Sequence, residues 1–528
     1  MKYLAVMIAL TLSVYAQNAP ELDPNLGKLH HPVSTKNAEA QKYFDQGLKY
    51  AYAFNHEAAA DSFRHAAQLD PDLAIAWWGV ALVQGPNINM DVDPDHEKAA
   101  WEAEQQALAK IDHASAEERD LINALAKRYS NDPKADLHKL SEEYSAAMAE
   151  VAKKYPDDLD AATLYAESLM DLHPWKFWTH DGVPAEGTME IVSTLKGVLK
   201  KDPNHIGANH YLIHAVEASS HPEEGLAAAQ RLKTLAPSAG HLVHMPAHIL
   251  QRTGDYAGAG KANAHAADVD REWIRKHGPD SMYAAMYYSH NLQFGSASYA
   301  MLGDYATSKK MADEFSANVI QFVKMMPPVE SFATAPVLVD VRFAKWKEIL
   351  SAPNPNVGPV STAFWHFARG TAFARLGNVS GAESEQKQLD AALPSLPTDP
   401  GFTQNSQRAL ATVGSHLLAG RIAEAKGDSA GAIAHYEEAA KVEDALNYDE
   451  PADWPLPARE TLGGALLRAN RAADAEKVFR EDLKHNPHNP RSLFGLAEAM
   501  KRQKKGGSAQ RAQFAKMWKG APPKIADL

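Results

Sequence analysis

Residues 40–73 read AQKYFDQGLKYAYAFNHEAAADSFRHAAQLDPDL. Large and small residues are placed here at helical spacing, with Tyr43, Gly47, Tyr50, Ala59, Phe63, Ala66 and Pro71 as the marks. Ala and Leu abound and β-branched alternation is scarce, so the period is that of a helix. Small residues let two antiparallel helices approach, aromatic rings fill the remaining gap, and a proline ends the second helix. Phe54-Asn55-His56-Glu57 falls in the turn between the two helices. There Asn55 is placed to cap the second helix, and Glu57 suits its N-terminal dipole.

The pattern returns along the chain. Residues 172–205 offer Ile191, Leu195, Val198 and Pro203; residues 206–239 offer Leu212, Leu232 and Pro237. Residues 240–273 offer Ala247, Leu250, Ala259 and Ala266, and another unit starts near Ser289 with Tyr299, Gly303 and Phe315. Residues 413–446 carry Gly420, Ala432, Tyr436 and Ala439; residues 456–489 carry Leu462, Gly463, Ala475, Phe479 and Pro487. Self-similarity at this period is the signature of a repeat array. The pattern resembles the tetratricopeptide repeat. It implies an all-α solenoid of helical hairpins, a right-handed superhelix with a concave groove. The resemblance further implies that the first helix of each repeat lines that groove through positions 2, 5, 9 and 12. Read this way, residues 17–39 are an N-terminal extension and 40–350 an N-terminal and central array. Residues 351–362 are a linker, and 363–528 a C-terminal array.

The chain has 528 residues, above the range in which one hydrophobic core usually serves. Its formal net charge of −12, with no dense block of Lys and Arg, argues against a grip on nucleic acid. At the N-terminus Lys2, the apolar run Leu4 to Val14 and the small residues Val14 and Ala16 read as a signal peptide over residues 1–16. The expected location is therefore periplasmic or extracellular, with no transmembrane segment after cleavage. There is no cysteine, so any metal site must use nitrogen and oxygen ligands.

The repeat register above uses no histidine. Placed on it, His210 and His214 occupy positions 5 and 9 of the unit starting at Ile206, with Glu217 at position 12. His241, His244 and His248 occupy positions 2, 5 and 9 of the unit starting at Gly240, and His290 position 2 of the unit starting at Ser289. Twenty-four histidines in 528 residues put fewer than one on these nine positions by chance, and six are there. Imidazoles at i and i+4 share one helix face and can chelate a cation, and neutral imidazole suits Zn, Cu, Fe and Ni. The expected site is a divalent transition metal (Zn, Cu or Fe) held by His210, His214, His244, His248 and His290, with Glu217 and His241 as further or supporting ligands. Tyr211 and Met245 stand where the zinc-protease motif HExxH carries its glutamate, which excludes that class. Pro246 lies between His244 and His248: either it kinks one helix, or it starts a new one and leaves His241 and His244 on a loop. The two HxxxH pairs with His290 resemble the binuclear copper proteins, in which each metal takes paired and single histidines.

Trp175 and Trp178 lie in a loop just before the histidine repeats, and Asn87 and Asn89 follow a groove helix. All four are candidate pocket walls. Glu167 and Asp171 could add carboxylates, and Arg459 and Glu460 are expected to pair locally near Trp454. The stretches Phe54–Glu57, Trp77–Asn89, Asn209–Glu217, His241–His248, Ser289–Phe294 and Tyr448–Leu467 resemble a group of bacterial exported tetratricopeptide-repeat proteins. That likeness supports fold and export, not chemistry. Three readings follow. The first is an exported solenoid that binds metal, or a peptide, protein or small molecule through it. The second is a metalloenzyme for hydrolysis or oxygen chemistry in the same groove. The third is an interaction scaffold with structural histidines.

Overall fold

The computed structural model describes residues 19–89, 92–400 and 403–528. The leader expected at residues 1–16 lies outside them. Among the described residues the chain is all-α, with no strand and only isolated bridges such as Trp178 to Pro184. Helices follow one another as antiparallel hairpins, each packed on its successor, as in a solenoid of tetratricopeptide type.

The first hairpin shows why these residues build it. The Asn37 side chain caps Ala38–Tyr52 by accepting from the amides of Glu39 and Ala40. Asn55 caps His56–Leu69 through the Ala58 amide. Phe63 then sends its ring between Gly47 and Gly79 of the flanking helices; a Cβ on either glycine would stand 2.6 Å from that ring. Phe479 is held likewise between Gly463 and Gly495 near the other end.

The array curves until distant repeats touch. Residues 19–37 run as a strap over the first hairpin, with Tyr43 Oη donating to the Pro20 carbonyl at 2.9 Å and Leu26 fully buried. The helix Ala38–Tyr52 packs beside Ile206–Glu217. At the other end Tyr256 Oη donates to the Pro487 carbonyl at 2.9 Å. Glu460 is buried between Arg342, at 3.2 Å, and Arg491, at 2.6 Å. This corrects the expected local pair: Arg459 holds Asp444 instead, 2.5 Å away. The C-terminal helices thus fold back on the central ones. The segment around Tyr448–Pro451 roofs the concave face, so the groove over the histidine repeats becomes a chamber.

Candidate metal centre

Four helical segments bring the six histidines together. His210 and His214 lie on Ile206–Glu217. His241, His244 and His248 span Gly240–His244 and Pro246–Arg252. Between these two segments Met245 keeps right-handed helical angles, φ −48° and ψ −35°. Pro246 therefore kinks one continuous helical path rather than ending it, and the three imidazoles stay on one face. His290 follows a π-turn at Ala284–Tyr288 and opens Ser289–Met301. Such turns re-aim the residues after them and gather at functional sites.

The side chains form two triads whose candidate ligand atoms lie within 4.8 Å of one another: His210, His214 and His241, then His244, His248 and His290. The triads adjoin, with the His214 and His248 rings 5.3 Å apart and those of His241 and His244 5.7 Å apart. Five of the six histidines are buried, and His290 is partly exposed.

Hydrogen bonds on the far ring nitrogens fix the tautomers of His210, His214 and His244. His210 Nδ1 donates to the Tyr52 carbonyl at 2.7 Å. His244 Nδ1 donates to Asn263 Oδ1 at 2.6 Å, and Asn263 is oriented by its own Nδ2, which donates to the Ala259 carbonyl at 3.0 Å. Glu217 serves both triads: Oε1 accepts from His214 Nδ1 at 2.8 Å, and Oε2 faces His248 Nδ1. With its proton on Nδ1, a neutral imidazole offers a bare lone pair at Nε2, the arrangement in which an outer carboxylate, carbonyl or amide orients a metal-binding histidine. His244 and His248 present these atoms to each other at 2.8 Å. His290 Nε2 lies 3.1 Å from His244 Nε2, and His241 Nε2 3.1 Å from His210 Nε2. His214 Nε2 is buried with no partner at all.

The electrostatics match. Burial, then the neighbouring imidazoles, hold His210, His241 and His244 far below the usual imidazole range. Burial likewise lowers His290 to about 3. Burial alone would raise Glu217; the His248 and His214 rings outweigh it and keep the carboxylate ionised. The His210, His214, His241, His244 and His290 rings are therefore neutral at ordinary pH, the form that binds metal.

The chamber beside the triads has a volume of about 150 Å³ and is walled by His214, His241, His248 and His290 on one side. It joins an outer cavity of about 630 Å³. Asn89 reaches the chamber wall, and Trp175 lines both cavities with its backbone in the left-handed region, φ 62°. Trp178 lines only the outer cavity, its indole N–H donating to the Ala215 carbonyl at 2.7 Å. Asn87 lines neither; its side chain accepts from the Asn89 amide and shapes the turn. Glu167 and Asp171 do not join the site, because both are drawn to the buried Arg128, which Asp171 meets at 2.6 Å.

Sequence reasoning missed several residues. The Phe54 ring lies 4.6 Å from His210 and stacks on His241 at 5.4 Å, and the Tyr287 ring lies 4.6 Å from His241. The Tyr52 carbonyl, Asn263 and the carboxyls of Asp449, Glu450 and Asp453 were also missed. All but Asn263, which shares the unit 240–273 with His244, reach the site from another part of the chain. Only the helical spacing of Asn263 within its own repeat could have signalled one of them.

No family model matches the chain. No curated protein matches it either. Among solved structures, the human IFIT1 dimer with m7Gppp-AAAA aligns at 15% identity, with a TM-score of 0.34, over 92% of this chain and 90% of that one. The APC/C hetero-tetramer Cut9-Hcn1 aligns at 12% identity, with a TM-score of 0.31, over 92% and 74%. Yeast Tom70 aligns at 11% identity, with a TM-score of 0.26, over 93% and 94%. Likenesses this distant say nothing of site or activity. Among the described residues no helix is long and apolar enough to cross a membrane.

Proposed function

We propose that this chain is a metalloprotein whose two imidazole triads hold a pair of transition-metal ions beside a small chamber. The observation that carries the reading is the His244–His248 pair: two Nε2 atoms 2.8 Å apart, with His244 Nδ1 bonded to Asn263 and His248 Nδ1 facing Glu217. A cation between such atoms turns a repulsion into two bonds.

The donor set suits Zn, Cu or Fe: the ligands of both triads are imidazoles, and Glu217 between them meets two Nδ1 atoms. Three-histidine sets also leave coordination positions open, and here they face a chamber. An open position suits chemistry on a bound ligand, whereas a closed set suits structure alone. The leader-like residues 1–16 support placing this chemistry outside the cytoplasm, in the periplasm or beyond.

The test is metal analysis of untagged mature protein beside His210→Ala, His244→Ala and the double variant, with helicity followed by circular dichroism. We expect two equivalents of metal in the parent, loss of about one in each single variant, and none in the double variant. A proton shared by His244 and His248 would also relieve their contact. A parent protein that stays metal-free after reconstitution with Cu(I), Zn and Fe(II) would assign the gap to that proton and leave a plain binding scaffold.

A further inference from the structure

The hairpin of Pro490–Arg502 and Ser508–Met517, with the segment after it, is charged oppositely to the rest of the chain. Residues 490–528 hold nine of the 54 Lys and Arg and two of the 66 Asp and Glu, a net of +7 in a chain of −12. This corrects the expectation that Lys and Arg form no dense block: Lys501, Arg502, Lys504 and Lys505 stand within five positions. Arg491 is buried against Glu460, and the other eight cations are exposed. Some of these have partners. Arg502 meets Glu498 at 3.1 Å, Lys505 meets Glu476 at 2.8 Å and Lys519 meets Asp304 at 3.8 Å. The Arg511 guanidinium lies over the Phe494 and Phe514 rings. Among the described residues Lys501, Lys504 and Lys516 have no carboxylate partner.

The second observation is the face of one helix. Ser508–Met517 packs chiefly on Pro490–Arg502, with the Phe514 and Phe494 rings 5.4 Å apart. Its other side is bare. Ser508, Ala509, Arg511, Ala512, Ala515 and Lys516 are all exposed, and at helical spacing they fall on one face with no acid among them.

We propose that this basic end docks the protein on the surface of an anionic phospholipid bilayer. The proposal is independent of the metal ions. Lysine carries a compact charge on a flexible stem, which suits a diffuse field of headgroups. A grip on nucleic acid calls for other groups: aromatic faces for the bases and guanidinium forks for the phosphates. Here Phe514 is buried, and Trp518 packs on Gly303 with its indole N–H donating to the Ala521 carbonyl at 2.8 Å. Arg502 and Arg511 are engaged as above. The leader-like residues 1–16 point to a compartment bounded by membrane, where the bilayer is the extended anion. The acidic remainder of the chain is repelled by such a surface. That repulsion decays over about 8 Å at physiological salt, less than the width of one helix, whereas the exposed lysines reach the headgroups themselves.

The experiment is co-sedimentation of untagged mature protein, beginning at Gln17 so that the apolar leader takes no part, with two kinds of vesicle: phosphatidylcholine alone, and phosphatidylcholine mixed with phosphatidylglycerol. The parent is expected to bind the mixed vesicles about tenfold or more tightly, and less so as salt rises. Lys501→Gln/Lys504→Gln/Lys516→Gln should weaken that binding roughly fivefold per lysine, on the order of 100-fold in all. Lys98→Gln/Lys139→Gln/Lys200→Gln makes the same change in net charge on other helices and should bind as the parent does. Circular dichroism checks both, and Lys516→Glu alone serves should the first triple variant fail to fold. Equal binding to the two kinds of vesicle, no binding to either, or the same loss in both triple variants would overturn the proposal. Tighter binding to a duplex oligonucleotide than to mixed vesicles, at equal phosphate, would also overturn it and give the basic end to nucleic acid.

Discussion

Glu217 Oε1 accepts the Nδ1 proton of His214 at 2.8 Å, while its other oxygen faces Nδ1 of His248. One carboxylate therefore sets the tautomer in both triads. Glu217→Gln replaces one acceptor with an N–H₂ donor, which cannot face an Nδ1–H. The imidazole on that side moves its proton to Nε2 and loses its ligand lone pair. Metal affinity should fall about 10- to 100-fold at one of the two proposed ions, the usual scale for losing such a partner. Competition against a chelator measures this, and unchanged affinity at both ions would remove Glu217 from the centre.

Phe54 sits at φ 55°, a left-handed position that bulky residues avoid, and is 4% exposed. Its ring covers His210 and stacks on His241. The strain persists because the ring is held by the packing around it. Phe54→Ala should cost about 3–5 kcal/mol in denaturant unfolding, as aromatic deletions from a core do. A loss under about 1 kcal/mol would show that the surrounding rings close over the gap.

Two glycines give opposite signs for one substitution. Gly47→Ala pushes a methyl to within 2.6 Å of the Phe63 ring, and overpacking of this kind costs about 1–3 kcal/mol. Gly197, in the helix Thr188–Lys201, has nothing within 4 Å of an added Cβ. Gly197→Ala should therefore stabilise by up to about 1 kcal/mol through helix propensity alone. Thermal or denaturant melts of the two variants test the packing rule, and equal shifts would contradict it.

The fold was legible because its rules are local. Phe63 with Gly47, and Phe479 with Gly463, are large-and-small pairs within one hairpin, and the sequence displays them at fixed spacing. The histidine faces were legible for the same reason, since His210 and His214, or His244 and His248, stand one turn apart. What closes the site was not legible. The Tyr52 carbonyl meets His210 from 158 positions away, and Tyr448 approaches Glu217 from 231. Such meetings depend on the accumulated curvature of many repeats, and no short window of sequence encodes it. Pro246 was ambiguous for a different reason: proline tolerates both a helix start and a kink, and only packing on both sides selects the kink. Glu167 and Asp171 had the right chemistry for the site, but Arg128 lies nearer to them.

The N-terminal strap should loosen at alkaline pH. His31 Nδ1 lies 2.9 Å from Asp160 Oδ2, while Asp160 Oδ1 takes Tyr52 Oη at 2.7 Å and His205 Nε2 at 3.1 Å. Burial lowers the His31 pKa, but the Asp160 hydrogen bond and charge outweigh it and raise it to about 9 from 6.5. Burial raises the Asp160 pKa, and the hydrogen bonds of His205 and His31 bring it below the usual 3.8. A raised histidine contributes fully below its unfolded pKa of 6.5 and loses that contribution as pH climbs through about 9. A depressed aspartate contributes above 3.8 and loses it as pH falls through its folded value. Both terms are present together between about pH 4 and 6.5, and the histidine term then fades, by on the order of 3 kcal/mol in all. Hydrogen exchange across residues 19–37 should therefore show strong protection at pH 6 and much less at pH 10, after correction for intrinsic exchange. His31→Gln should flatten the difference. Equal protection at both values in the parent would mean that Tyr43 and Leu26 hold the strap unaided.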